Sequence, residues 1–449
     1  MKRKIYNRLL NWKETQNGQT AILIDGARRV GKSYIVEEFA RKEYKSFVLI
    51  DFSKEDRQLK QLFEDHLSDL DVFFRMLSLL KDVKLYPRES VIVFDEVQQY
   101  PPARAAIKHF VKDGRFDYIE TGSLVSINRN VKNIVIPSEE ERIDMHPMDF
   151  EEFMWAMGQE DLMDYIRECF SLRKPLGNLL HRKAMELFRQ YMIVGGMPQA
   201  VESYIKDKDF DKVDHIKRNI LNIYRADISK YAAGYEQRVT RVFDTIPSQL
   251  QRHEKRFRIS DLEKGARTRS YANAFFWLEE SRVINVCYAA TEPNVGLNLS
   301  RNDAKRKLYM ADTGLLIAMA FDEKDIQQGQ LYKKLMFDKL EINKGMLVEN
   351  IVAQMLCAAG NKLYFYTNAS HDKEDKMEID FLVRKSSVTS RHNISPIEVK
   401  SSTRYTLTSL NKYRRKYAEY LATAYVIHSN DYEEKDGIAF VPFYMTPLL

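Results

Sequence analysis

The chain has 449 residues, too many for one hydrophobic core, which argues for two to four domains. With 44% hydrophobic and 30% charged residues and no low-complexity tract, it reads as a folded globular protein. A net charge of +6 over this length excludes a molecule that coats nucleic acid by bulk charge, so any such contact must come from local patches. Cys169, Cys287 and Cys357 are too few for a disulfide framework and too far apart for a Cys-x-x-Cys site, which fits a reducing compartment. The start, "MKRKIYNRLLNWKETQNGQT", is basic but lacks the apolar core of a signal peptide. No apolar run approaches the ~20 residues that cross a bilayer. A soluble, cytoplasmic protein with no membrane partner is expected.

"TAILIDGARRVGKSYIVEEFA" (20–40) reads as a buried strand, a loop and a helix. The loop fits G-x-x-x-x-G-K-S/T with Gly26, Gly31, Lys32 and Ser33. Glycines let backbone N–H groups close around phosphate oxygens, and the helix that follows points its positive end at them. The nucleotide-binding segment is expected to run from Gly26 through Ala27, Arg28, Arg29, Val30, Gly31, Lys32 and Ser33 to Tyr34, with ATP as ligand. Lys32 is expected to reach the β- and γ-phosphates, and Ser33 to coordinate Mg²⁺. "KSFVLIDFSK" (45–54) supplies another strand. "ESVIVFDEVQQY" (89–100) is a short apolar strand ending in Asp95 and Glu96. Such a run suits a buried parallel strand, whose C-terminal end is where ligands bind in open α/β sheets. Asp95 is placed to hold Mg²⁺, and Glu96 to orient the attacking water. Adjacent acids favour hydrolysis over storage of the nucleotide, so an ATPase is expected. "FDYIETGSLVS" (116–126) ends a further strand in Glu120, Thr121 and Ser123, the last two being candidate γ-phosphate sensors.

"GARRVGKS", "VIVFDEVQ", "YIETGS", "MHPMDFEEF" and "VGGMPQAV" occur here in that order. The series resembles a family of bacterial and archaeal AAA-type ATPases that carry a C-terminal domain of unknown function. The resemblance implies ATP and Mg²⁺ as cofactors. Relatives often have Gly-Arg before the Pro-x-x-Phe-x-Glu-Phe box; here Glu141-Arg142 stands there, and Arg142 is the corresponding candidate sensor.

From about 150 to 230 the apolar spacing is helical, with a stop at Gly195-Gly196-Met197-Pro198. Arg225 is expected to pair locally with Asp227; resemblance to AAA-type lids makes it a second arginine-sensor candidate. "FRISDLEKGARTRSYANAFFWLEESRVINVCYAATEP" (257–293) has the rhythm of a winged helix. Ser260 is the expected N-cap of a short helix. A longer helix from about Ser270 to Glu280 and a wing strand follow. Arg252, Lys255, Arg256, Arg258, Arg267 and Arg269 gather around it, enough to steer phosphate. The longer helix offers few base-reading side chains, so DNA and a protein partner both remain open.

"NKGMLVENIVAQMLCAAG" (343–360) reads as a helix whose stripe of Val348, Ile351, Val352, Met355 and Leu356 meets a sheet, with Glu349 at its edge. "KLYFYT", "EIDFLV" and "SPIEVK" are strands, and "TLTSLNKYRRKYAEYL" a second helix. Glu398 and Lys400 share one strand face. With Asp380 from a neighbouring strand and Glu349 behind, they make an Asp…Glu-x-Lys constellation that resembles the PD-(D/E)XK nuclease fold. Glu349, Asp380 and Glu398 are the oxygen ligands a Mg²⁺ site requires. Asp380, Glu398 and Lys400 are then the candidate nuclease residues. An ordinary solvated strand face is the alternative.

The expected fold class is therefore α/β. A P-loop core of AAA type occupies 1–150, a helical lid 151–232, a winged helix 233–304 and a nuclease-like α/β domain 305–449. Two functions are open. One is a Mg²⁺-dependent ATPase of AAA type acting on or near DNA, whose nuclease-like domain cleaves nucleic acid under ATP control. The other is an ATP-dependent switch whose winged helix and nuclease-like tail dock a protein partner; a homo-oligomer is left open in either.

Overall fold

The computed structural model describes residues 1–54, 56–122, 139–252, 254–293, 296–321, 332, 334, 336, 344–370, 372, 374–385, 392–402 and 404–449. It divides into two compact units, Met1–His146 and Pro147–Leu449. Each is built on its own sheet. Among the described residues no helix is long and apolar enough to cross a membrane.

In the front unit five strands, β1 (Ala21–Asp25), β2 (Ser46–Asp51), β3 (Ser90–Asp95), β4 (Asp117–Gly122) and β5 (Glu140–Asp144), lie in the order β2-β3-β4-β1-β5. All the pairings are parallel. β1, β3 and β4 are buried along their whole length, as the continuous apolar runs of β1 and β3 predict. One face packs on helices through Phe63, Phe73, Phe94, Phe110 and Tyr118. Phe110 stacks on Tyr118 with ring centroids 5.4 Å apart. Each such ring contributes roughly 1.5–3 kcal/mol by leaving water. Asp56 and Asp69 start the helices Arg57–His66 and Leu70–Lys81 by accepting backbone N–H groups, caps worth about 1 kcal/mol each. The order puts β4 between the P-loop strand and the acid strand, with all the C-terminal ends on one side.

The back unit begins with five helices, Phe150–Ala156, Glu160–Ser171, Asn178–Val194, Pro198–Asp207 and Phe210–Tyr231. The Pro-x-x-Phe-x-Glu-Phe box is a helix start. Asp149 and Glu152 exchange side-chain-to-backbone hydrogen bonds as a capping box, while Phe150 and Phe153 pack on Tyr191. The helix Glu236–Leu250 follows, then a 3-10 turn Ile259–Asp261 and the helix Thr268–Glu280. Ser260 is not an N-cap, contrary to expectation. It lies inside the turn, and Gln249 holds the turn's entry by accepting from Arg258 N at 3.0 Å. Arg225 meets Asp244 of the next helix at 3.1 Å, a partner the local spacing did not suggest.

Eight strands form the second sheet: β6 (Ile284–Ala290), β7 (Arg301–Met310), β8 (Tyr364–Asn368), β9 (Met377–Arg384), β10 (Ile394–Val399), β11 (Ala424–His428), β12 (Glu433–Lys435) and β13 (Ile438–Pro442). Their order is β12-β13-β11-β10-β9-β8-β6-β7. A boundary at 304/305 falls inside β7, whose partner β6 is continuous with the tail strands through β8. The helix Lys344–Ala358 is buried on every side from Met346 to Leu356, so it is not the one-stripe helix expected. Asn350 and Gln354 are tolerated inside because their amides bond Met310 N and Thr313.

Candidate functional site

Gly31 sits at φ 95°, a left-handed conformation that favours glycine, and ends the loop at the first residue of the helix Lys32–Glu43. A Cβ on Gly26 would stand 2.3 Å from the Met145 carbonyl oxygen, so only glycine fits. Lys32 is buried and its ammonium donates to the Gly26 and Ala27 carbonyls at 2.8 and 3.1 Å. Burial pushes its pKa down, opposed by the nearby Glu96, Asp25 and Asp95. Arg28 and Arg29 are more open, and Tyr34 is exposed one residue past Ser33. Arg3 braces the loop by donating to Val30 O at 2.9 Å and His146 O at 2.7 Å. Sequence reasoning missed Arg3, because nothing in "MKRK" separates a buried arginine from a solvated one.

Ser33 donates to Asp95 at 2.8 Å, and the Thr121 hydroxyl donates to the same carboxylate oxygen. Thr121 also accepts from Glu96 N at 3.3 Å. Two hydroxyls, one from the helix after the loop and one from β4, thus converge on one oxygen at the end of β3, with β4 lying beside β3 in the sheet. Glu96 has a left-handed backbone (φ 53°), and Gln98 donates to its carboxylate at 2.5 Å. Arg104 lies between Glu120 (3.3 Å) and Glu140 (3.0 Å), Arg104 and Glu120 buried and Glu140 half-buried, and burial pushes the Glu120 carboxyl well up. Arg142 on β5 pairs with Asp25 at 2.6 Å, at the end of the P-loop strand. Ser123 lies outside the described residues.

In the back unit β9 and β10 are antiparallel neighbours, with Phe381 opposite Ile397, so Asp380 and Glu398 do come from adjacent strands. Asp380 accepts from Val399 N at 2.9 Å. Glu398 is buried and pairs with Lys400 at 2.5 Å, which removes the solvated-face alternative for it. Glu349 is buried with Lys255, Lys307 and Tyr309 around its carboxylate. Lys307, itself buried, also meets Glu378 at 2.8 Å and Asp380 at 3.7 Å. Burial pushes both Asp380 and Glu398 up. Among the described residues no three His, Cys, Asp or Glu side chains gather in a way that could hold a metal ion. Of the expected Mg²⁺ ligands, Glu349 and Asp380 meet at Lys307, whereas Glu398 pairs with Lys400. Glu349 and Asp380 face lysine, and Glu398 faces another lysine.

Comparison with known families bears on the front unit first. Residues 18–154 match the AAA domain family. Two domains of unknown function match behind it, DUF8612 over 185–325 and DUF4143 over 344–445. No match to a curated protein was found. Among solved structures, a Walker-type ATPase of Pyrococcus abyssi is similar at 16% identity over 71% of this chain and 96% of its own, with a TM-score of 0.41. Cdc6p of Pyrobaculum aerophilum is similar at 9% identity, over 75% of this chain and 94% of its own, with a TM-score of 0.27. PCH-2 of C. elegans is similar at 12% identity, over 38% and 44%, with a TM-score of 0.19. These scores are low, so the P-loop assignment stands on the AAA domain match, the parallel strand order and the loop geometry.

Within the residues that match the AAA domain family, Lys32, Ser33, Asp95, Glu96 and Thr121 are adjacent, and Gly26 and Gly31 shape the loop. Arg142 lies on the edge strand beside Asp25. Arg225 belongs to the back unit.

Proposed function

We propose that the protein is an ATP-binding, Mg²⁺-dependent ATPase of AAA type. The observation that carries this is the convergence of Ser33 and Thr121 on Asp95, one residue before Glu96 and beside the Lys32 loop. The donor set fits the cation: a hydroxyl and a carboxylate are hard oxygen ligands. Ser33 and Asp95 would hold Mg²⁺, which when bound neutralises charge on the phosphates. Lys32 binds the same phosphates from the loop. Glu96 is positioned to take a proton from water, and Thr121 fixes both the Asp95 carboxylate and the Glu96 backbone. Arg142 is a candidate sensor of the γ-phosphate.

In this reading the back unit is a switch element that docks a protein partner. It comprises a helical lid over 151–232, a winged-helix candidate around the helices Glu236–Leu250 and Thr268–Glu280, and a nuclease-like domain that takes in the sheet from β6 onward. The order helix Lys344–Ala358, three strands, helix Thr408–Lys416, strand supports the nuclease-like fold. Fold alone does not supply cleavage. Three of the six basic residues of the cluster, Arg252, Lys255 and Arg258, are each paired with a carboxylate, which lowers its free positive charge. Phe276, exposed on the winged-helix candidate, suits a protein contact better than phosphate.

Lys32→Ala tests the reading. It is expected to abolish ATP binding, measured by fluorescence of a labelled nucleotide, with the circular dichroism spectrum unchanged. Unchanged nucleotide affinity would remove the assignment.

A further inference from the structure

We propose that Lys307 is the resident cation of the back unit's carboxylate cluster, standing where a nuclease-like fold would hold a divalent metal. Its ammonium lies 3.4 Å from Glu349, 2.8 Å from Glu378 and 3.7 Å from Asp380. It is almost fully buried and sits 5.0 Å above the Phe365 ring. An ammonium has three donors and no acceptor, which matches three carboxylates around one point.

The oxygens a metal needs are already engaged. Glu349 also carries Lys255 and the Tyr309 hydroxyl. The second oxygen of Asp380 takes the Val399 N–H at 2.9 Å, and Glu398 takes Lys400. Magnesium demands near-octahedral oxygens at about 2.1 Å. A dication drawn into the same cluster would meet the Lys307 charge at close range in a buried setting, where repulsion is poorly screened. The residues thus keep the outline of a metal site but are charge-balanced by the chain itself. Lys307 comes from β7, two strands beyond β8 in the sheet order, so its position depends on β6 and β7 being part of the same sheet. The inference goes beyond the ATPase reading and rests on the nuclease-like reading of the back unit.

The test is Mn²⁺ binding to the full-length, nucleotide-free protein, followed by electron paramagnetic resonance of free Mn²⁺. Wild type and Asp380→Asn are expected to give superimposable titrations. Lys307→Met, which keeps the chain length and removes the charge, is expected to gain about one Mn²⁺ site, lost again in Lys307→Met/Asp380→Asn. A wild-type Mn²⁺ site weakened tenfold or more by Asp380→Asn would overturn the proposal. So would a folded Lys307→Met that binds no more Mn²⁺ than wild type. Should Lys307→Met fail to fold, the wild-type and Asp380→Asn titrations decide alone. ATP turnover in the same samples reads the front unit separately, so failure of one reading is not confused with failure of the other.

Discussion

Glu349 is buried yet ionised. Burial pushes its carboxyl up, but Lys255, Lys307 and the Tyr309 hydroxyl together bring it down to about 2 from an ordinary 4.5. A carboxylate depressed in the folded state contributes stability that is present above its unfolded pKa and lost as pH falls through the folded one. The contribution is on the order of 3 kcal/mol, at about 1.4 kcal/mol for each unit. Asp380 and Glu398, pushed up by burial, act with the opposite sign, so the difference between wild type and a variant is the quantity to read. Glu349→Gln is expected to be less stable at neutral pH, since it strands two lysines, and to lose less stability than wild type between about pH 5 and pH 2. Urea midpoints across that range check this; parallel curves would contradict it. On the front unit, Thr121→Val removes a donor to Asp95 and an acceptor for Glu96 N. It is expected to slow ATP turnover about tenfold while sparing ATP binding. Lys32 and Ser33 were legible because a P-loop fixes their spacing in the chain, and Asp95 because it ends a continuous apolar strand. Arg3 and Lys307 were not, because their partners are 27 or more residues away and no local pattern marks them.

At the scale of elements, close backbone approach explains the "VGGMP" and "ADTG" segments. Gly196 N donates to the buried Asp312, and the Gly196 carbonyl accepts from Met148 N at 2.7 Å. A Cβ on Gly196 would stand 2.1 Å from the Met148 carbonyl oxygen, and one on Gly314 would stand 2.5 Å from the Val194 carbonyl oxygen. Both obstacles are backbone and cannot swing aside. Gly196→Ala is expected to destabilise the protein by about 1–3 kcal/mol or more, read as a lower melting temperature. Gly345→Ala is the control: its Cβ would meet nothing closer than Ser401 Oγ at 3.6 Å, so it is expected to be neutral or mildly stabilising. Equal melting temperatures for Gly196→Ala and wild type would contradict the packing argument. The strands β1, β3, β9 and β10 were readable from apolar runs and alternation. The all-round burial of Lys344–Ala358 was not, because Asn350 and Gln354 look like a polar face until Met310 and Thr313 are seen to bond them.

For the whole molecule, strand order does what chain order cannot. β4 enters the first sheet between β1 and β3, which is how Thr121 reaches Asp95. β6 and β7 join the tail strands in one eight-stranded sheet, which is how Lys307 reaches Asp380. Neither arrangement is written in local periodicity, since pairing partners are chosen by tertiary packing. The central claim is that the front unit hydrolyses ATP at Asp95 and Glu96. The most direct measurement is ATP binding and steady-state turnover by full-length wild type and Glu96→Gln with Mg²⁺. The account predicts wild-type ATP affinity in the variant and turnover lower by ~10²–10⁴-fold. Hydrolysis by Glu96→Gln at the wild-type rate, or no Mg²⁺-dependent hydrolysis by wild type, would contradict it.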